Sequence, residues 1–69
     1  MLKLIDLLNC IVDTQIVKVW GFDNATDEEV ILDVYDGRNS ISSDYNDDTV
    51  EYVWVDSEGA LNITIAVGI

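Results

Sequence analysis

The chain contains no histidine, a single cysteine and only three basic residues among its 69. Without histidine the usual base for nucleophilic catalysis is missing, which argues against a Ser–His or Cys–His site. Cys10 has no second cysteine for an intrachain disulfide, and one cysteine without histidine cannot form a structural zinc site. Three Lys and Arg side chains supply too few phosphate contacts for direct nucleic-acid binding, which we do not expect.

The chain also lacks a long apolar run. No stretch approaches the roughly 20 apolar residues of a membrane span. The N-terminal run is interrupted by Asp6 and Asn9, and no small-residue cleavage site follows it. We therefore expect neither a signal peptide nor a membrane anchor, and a cytoplasmic protein. Its length predicts one small domain, residues 1–69, with a thin core that depends on good packing or self-association.

Acidic residues are abundant and unevenly distributed. Residues 1–21 hold two acids and two bases, and so carry no net charge. Residues 22–51 hold ten acids and one base, Arg38, for a net charge of −9, and residues 52–69 add −2. The total of −11 thus belongs mainly to the middle of the chain. The density is high in SSDYNDDTVE, residues 42–51, and the purpose of this charge is the main functional question.

Hydrophobic patterning predicts one helix and four strands. Residues 1–12 place most apolar side chains on one arc of a helical wheel, as in an amphipathic helix. Residues 38–49 lack a strand pattern, but Ser42 or Ser43 could cap a short helical turn that has Asp44 in its first turn. Strands are predicted at residues 15–22, 30–35, 50–56 and 60–67. The expected fold is α+β, an N-terminal helix packed on a small, mostly antiparallel sheet in the order helix, strand, strand, helical link, strand, strand.

Turn chemistry predicts that the strands pair as two hairpins. A polar loop joins the first two strands, and an SEG turn with Gly59 at positive φ joins the last two. In the last strand apolar residues alternate with Asn62 and Thr64, which predicts one buried and one wet face. Trp20 and Trp54 stand next to β-branched residues, and we assign both to the core.

The acids do not match a site for catalysis or for a tightly bound metal. Asp44 to Asp48 begins like a calcium loop, but its sixth and twelfth positions are Thr49 and Val55 instead of Gly and Glu. Acid–base catalysis needs a carboxyl with a raised pKa in a cleft, and acids in turns are usually solvated. Cys10, at the polar edge of the predicted helix, has the character of an incidental exposed thiol. We therefore predict a protein that is not an enzyme and has no cofactor or metal site.

Three interpretations of the acidic segment remain open. It could act only on solubility, since acids discourage association between sheet edges. It could instead be a surface that docks on a basic protein by competing for the Lys and Arg groups that bind DNA. A weak cation-binding surface is the third. Tyr45 lies among the acids and would give a docking surface a rigid anchor within a charged rim.

Three runs cover most of the chain, namely LKLIDLLNCIVDTQIVKVWGF (residues 2–22), YDGRNSI (35–41) and VEYVWVDSEGALNITI (50–65). In these runs the chain resembles a family of small acidic accessory proteins encoded by phages and prophages of Gram-positive bacteria. Such proteins tend to begin with a Leu-rich helix and to end with an Asp/Glu-Gly hairpin. The resemblance implies an accessory protein of a mobile element in the host bacterial cytoplasm. Small acidic phage proteins of this kind include inhibitors of host defence, among them anti-CRISPR proteins.

The sequence therefore predicts a non-catalytic, DNA-mimic or anti-CRISPR-like inhibitor that docks on the basic surface of a host nucleic-acid-binding protein. The alternative is a structural, self-associating protein in which a sheet edge or the helix forms a homodimer and acidity serves only solubility. For the docking hypothesis, the first set of partner-binding residues is Asp44, Tyr45, Asp47, Asp48 and Glu51. The second set, in the first hairpin loop, is Asp27, Glu28 and Glu29.

Overall fold

The computed structural model describes residues 1–37 and 40–68. A four-stranded sheet is accompanied by one short α-helix and one 3₁₀ helix. The coarse α+β expectation is therefore confirmed, although strands predominate. Arg38 and Asn39, which begin the predicted link, lie outside the described residues, as does Ile69. The elements in chain order are α1 (Leu4–Leu8), β1 (Val17–Asp23), β2 (Glu28–Tyr35), a 3₁₀ helix (Ser43–Tyr45), β3 (Val50–Val55) and β4 (Leu61–Gly68).

The N-terminal helix is much shorter than predicted. It spans Leu4–Leu8 instead of residues 1–12. Before it, Lys3 forms an antiparallel bridge with Thr49, which holds the chain extended. After it, the N–H of Cys10 donates to the carbonyl of Leu7, three residues back, in a tight turn that closes the helix. Isolated helices this short are marginal in water, so tertiary pairing overrides the amphipathic pattern.

The four strands form one mixed sheet in the order β2-β1-β4-β3. β1 pairs antiparallel with β2, and β3 pairs antiparallel with β4, so both predicted hairpins are present. The two hairpins are joined by a parallel pairing of β1 with β4, in which Val17 is opposite Leu61. Parallel pairing puts the C-terminal ends of β1 and β4 at the same end of the sheet.

The local turn chemistry agrees with the sequence. Ser42 precedes the 3₁₀ helix, and its hydroxyl accepts a 3.2 Å hydrogen bond from the N–H of Asp44. Gly59, in the turn between β3 and β4, has φ of +84°. Asp27, in the turn between β1 and β2, has φ of +57°, a left-handed conformation that Asp tolerates better than most residues do.

The hydrophobic core lies between one sheet face and the segment that contains α1. Val17 and Val19 of β1 and Ile63 and Ile65 of β4 meet Leu4 of α1, and all five are buried. Each fully buried aliphatic side chain contributes about 1.5–3 kcal/mol to folding. Leu7, Leu8, Ile11 and Ile41 pack around this cluster. The predicted apolar stripe therefore faces the core, although only part of it is helical.

The opposite sheet face, here called the open face, includes Trp20, Tyr52, Trp54, Asn62 and Thr64. In the register, Thr64 lies between Trp20 and Tyr52, and Asn62 lies beside Trp54. The prediction that one face of β4 is exposed to solvent is wrong, because Asn62 is 1 % and Thr64 0 % exposed. The assignment of Trp20 and Trp54 to the core is also wrong, because both are half-buried on the open face. Alternation along β1 and β3 directs these rings away from the aliphatic core, where they cover the polar residues of β4.

Candidate binding surface

The topology brings two separate groups of acidic residues to the same end of the sheet. The turn after β1 leaves from that end, because Phe22 is opposite Gly68 at the C-terminal end of β4. β3 also begins there, because Val50 is opposite Ile65. We call this region the acidic end. Its carboxylates are Asp23, Asp27, Glu28, Glu29, Asp47, Asp48 and Glu51.

Most of these carboxylates are accessible to a partner. Asp27, Glu28, Asp47 and Glu51 are exposed, whereas Glu29 and Asp48 are partly covered. The one lysine at this end, Lys3, lies 3.5 Å from a carboxylate oxygen of Asp47. The two side chains are 55 % and 90 % exposed, so their ion pair is weak. Seven carboxylates face one lysine, and the region has a strongly negative potential.

The first predicted set is only partly brought together. Asp47, Asp48 and Glu51 lie at the acidic end, but Asp44 lies earlier, in the exposed first turn of the 3₁₀ helix. Tyr45 is half-buried and packs against the core cluster. Part of its ring is therefore turned inward and contributes to folding.

Two acids that the sequence did not distinguish have structural roles. Asp33 of β2 accepts a 2.7 Å hydrogen bond from the N–H of Ser42 and a 2.9 Å bond from its neighbour Val34. The first bond ties the segment before the 3₁₀ helix to the sheet. The second acid, Asp56, follows β3. One of its oxygens accepts from the N–H groups of Glu58 and Ala60, at 2.9 and 3.1 Å.

Asp56 also belongs to a polar network that reaches the open face. Its other oxygen accepts from the Asn62 amide at 3.1 Å and lies 3.5 Å from the Lys18 ammonium. The hydrogen bond from Asn62 is the largest influence, and it lowers the pKa of Asp56 below the ordinary 3.8 although partial burial acts in the opposite direction. Asp-x-x-Gly before a strand is a sequence signal for the turn. No sequence signal identified Asn62 as the partner.

An apolar pocket lies at the opposite end of the sheet, between α1, the start of β1 and the segment before the 3₁₀ helix. Its volume is about 300 Å³, at the small end of the range for ligand pockets. Asp13 is among its lining residues, and the carbonyl of Asp13 accepts a 2.9 Å hydrogen bond from the Tyr35 hydroxyl. The apolar lining includes Ile5, Leu8, Ile11, Val17, Tyr35 and Ile41. The pocket has room for a small apolar group, and its polar lining includes Ser40, Ser43 and Asn46.

Cys10 is exposed, and its thiol lies 3.4 Å from the carbonyl oxygen of Asp6. Within residues 1–37 and 40–68, no group of three His, Cys, Asp or Glu side chains is placed to hold a metal ion. No helix in the same ranges is both long and apolar enough to cross a bilayer.

Comparisons with protein-family models, with curated proteins and with solved structures found no match to this chain.

Proposed function

We propose that this chain is a non-catalytic binding protein whose acidic end docks on a positively charged surface of a protein partner. The observation that carries the proposal is that Asp47, Asp48 and Glu51 of the first predicted set lie at the same end of the sheet as the second set, residues 27–29. The resemblance to small acidic phage and prophage proteins directs the proposal to a nucleic-acid-binding protein of a Gram-positive host. In that role the chain is an inhibitor of the DNA-mimic or anti-CRISPR-like kind.

The charge density of the acidic end supports the proposal that this surface competes with nucleic acid for a basic partner. The acidic end extends from β2 to β3, a width of three strand spacings or about 14 Å. Duplex DNA carries about eight phosphate charges over the same length of axis. The acidic end offers seven carboxylates and one lysine, which is a comparable density. A cleft built to bind phosphates through Lys and Arg would therefore attract this surface.

The solvent exposure of the carboxylates at the acidic end supports a role in docking more than a structural role. Unlike Asp33 and Asp56, the carboxylates of Asp27, Glu28 and Glu51 make no hydrogen bond or ion pair with the residues that the structure describes. Carboxylates that the fold does not use are available to steer a basic partner. Such steering raises the association rate and weakens as salt increases.

The partner can be sought by affinity capture from a Gram-positive host lysate. The tagged protein is washed at about 0.1 M and about 1 M salt, between which the screening length falls from roughly 10 Å to 3 Å. Recovery of a nucleic-acid-binding protein at low salt and its loss at high salt is the expected result. Recovery of the bait alone at both salt concentrations contradicts the proposal.

Paired variants then locate the surface. Asp47→Asn with Glu51→Gln removes two charges from one corner of the acidic end, and Asp27→Asn with Glu28→Gln removes two from the other. The matched control, Asp13→Asn with Glu58→Gln, removes two exposed charges at the opposite end. We expect each test pair to weaken binding about tenfold and to flatten its salt dependence, with little change in the control. Equal effects of all three pairs would show that net charge alone matters.

A further inference from the structure

Three aromatic side chains form a connected cluster on the open face. The ring centroids of Trp20 and Trp54 are 5.8 Å apart, and those of Trp54 and Tyr52 are 5.7 Å apart. Trp20 belongs to β1, and the other two belong to β3. We call these three residues the aromatic cluster. Tyr52 is 48 % exposed and both tryptophans are half-buried, so part of each ring is accessible to a partner.

The fold leaves the aromatic cluster facing outward. The described helices pack on the opposite sheet face, where Leu4 and Tyr45 meet the core. On the open face Ile31 of β2 is opposite Trp20 in the register, and it is 47 % exposed. Apolar surface therefore extends from β2 through β1 to β3. Exposed apolar surface that is bordered by polar residues is typical of an interaction site.

Carboxylates border this apolar surface where it meets the acidic end. Phe22 follows Trp20 by two residues and so lies on the same face, where Glu29 of β2 is opposite it. Glu51 directly precedes Tyr52 in β3 and is exposed. Neither carboxylate forms an ion pair with the residues that the structure describes. A cation that lies on the aromatic cluster is therefore attracted by nearby carboxylates that are not neutralised.

We propose that the aromatic cluster binds arginine side chains of the basic partner, an inference that rests on the proposed docking through the acidic end. The guanidinium group is planar and weakly hydrated, so it stacks on aromatic rings while its N–H groups bind carboxylates. Lysine carries a compact, strongly hydrated charge and gains less from a ring. The acidic end attracts a basic partner from a distance, and the aromatic cluster selects arginine over lysine at contact.

The charge of the chain argues against other occupants of this face. Aromatic residues on a sheet can stack the bases of single-stranded nucleic acid, but here the phosphates would meet carboxylates and a chain with only three basic residues. A second copy of the chain would bring another −11. The ammonium of Lys18, on the same face, is 3.5 Å from the carboxylate of Asp56, so this internal cation already has a partner.

Two peptides of equal length and charge, nona-arginine and nona-lysine, test the preference. Titration at about 0.1 M salt can be followed by fluorescence, because both tryptophans of the chain belong to the aromatic cluster. We expect nona-arginine to bind about tenfold more tightly than nona-lysine. In NMR spectra, the arginine CH₂ protons next to the guanidinium should shift upfield, because they lie over ring faces. Equal affinities for the two peptides would overturn the inference.

Substitution of Tyr52 separates ring stacking from the pairing of arginine with carboxylates. Tyr52→Leu keeps an apolar side chain and removes the ring, whereas Tyr52→Phe keeps the ring and removes only the hydroxyl. We expect Tyr52→Leu to reduce the preference for nona-arginine about threefold and Tyr52→Phe to retain it. Circular dichroism checks that both variants fold. An equal loss of preference in the two variants, or no loss in either, would overturn the stacking.

A variant of the acidic end distinguishes this inference from the proposed function. Asp27→Asn with Glu28→Gln should weaken the binding of both peptides to a similar extent, because it removes charge and leaves the rings in place. If this pair weakens binding while Tyr52→Leu has no effect, the stacking is overturned and the docking proposal stands. If the arginine preference depends on Tyr52 but the pair has no effect, the stacking is supported and docking through the acidic end is contradicted.

Discussion

The indole N–H of Trp20 donates a 2.9 Å hydrogen bond to the side-chain oxygen of Asn62. Asn62 is 1 % exposed, and its amide group in turn donates to Asp56 at 3.1 Å and to the carbonyl of Ala60 at 3.2 Å. The bond from Trp20 crosses from β1 of the first hairpin to β4 of the second. It therefore joins the two hairpins through side chains at the place where the backbone pairing is parallel.

Removing the Asn62 side chain should destabilise the fold. Asn62→Ala leaves the Trp20 N–H without its partner and opens a cavity on the open face. An unsatisfied buried donor alone costs about 1–3 kcal/mol, so we expect a loss in that range or slightly above it in urea unfolding followed by tryptophan fluorescence. Thr26→Ala, in the exposed turn between β1 and β2, is the control. Similar unfolding midpoints for the two variants would contradict this role of Asn62.

Replacing Thr64 with valine should stabilise the protein. Thr64 is 0 % exposed, and its hydroxyl oxygen has no hydrogen-bond partner among the described residues. Thr64→Val keeps the β-branched shape and removes a buried polar group that is not satisfied, for a gain of about 1 kcal/mol. A higher melting temperature in a calorimetric scan is the expected result. A lower one would mean that the hydroxyl has a partner such as a bound water.

Asp33 and Asp47 should respond differently to removal of their carboxylates, although both belong to the acidic middle of the chain. Asp33→Ala breaks the 2.7 Å bond to the Ser42 N–H and should cost about 1.5–3 kcal/mol, the usual range for bonds to a charged group. Asp47→Ala removes only an exposed ion pair and should cost less than about 1 kcal/mol. Hydrogen exchange adds a local test, since the Ser42 amide should lose protection only in Asp33→Ala. If the Ser42 amide stays protected in Asp33→Ala, the hydrogen bond from Ser42 to Asp33 does not hold this segment on the sheet.

Asp56 should contribute to stability in a pH-dependent way. Its pKa is lowered in the folded state, mainly by the hydrogen bond from Asn62. Its contribution is therefore fully present above the ordinary value of 3.8, and it is lost as the pH falls through the lower folded value. Asp56→Asn should be less stable than the parent at neutral pH, and the difference should shrink in acid. Urea midpoints measured from pH 7 downward test this, and a difference independent of pH would contradict it.

The turns and strands could be predicted because their signals are local. Gly59 supplies positive φ to the second hairpin turn, and Ser42 caps the 3₁₀ helix through its neighbour Asp44. The β-branched and aromatic stretches form strands within a few residues of the predicted limits. The start of the helix was not predictable in the same way, because it is delayed to Leu4 by the pairing of Lys3 with Thr49, 46 residues later along the chain.

The acidic residues could be identified as candidates from composition, but their grouping depends on topology. Asp27 and Glu51 are 24 residues apart in sequence, and they share one end of the sheet because β1 and β4 are parallel. A different strand order would separate them. The same topology distinguishes structural from available carboxylates, since Asp33 and Asp56 meet their partners only after the strands assemble.

The sequence by itself determined the small size, the strong negative charge, the strand-rich composition and the positions of the turns, because these depend on residue type and near neighbours. Only the tertiary structure decided that Trp20 and Trp54 cover polar residues outside the core, that Asn62 and Thr64 are buried, and that β3 lies at an edge. These features depend on which strands become neighbours. The strand order depends on the total burial of side chains that are far apart in sequence, and a local sequence pattern contains no information about it.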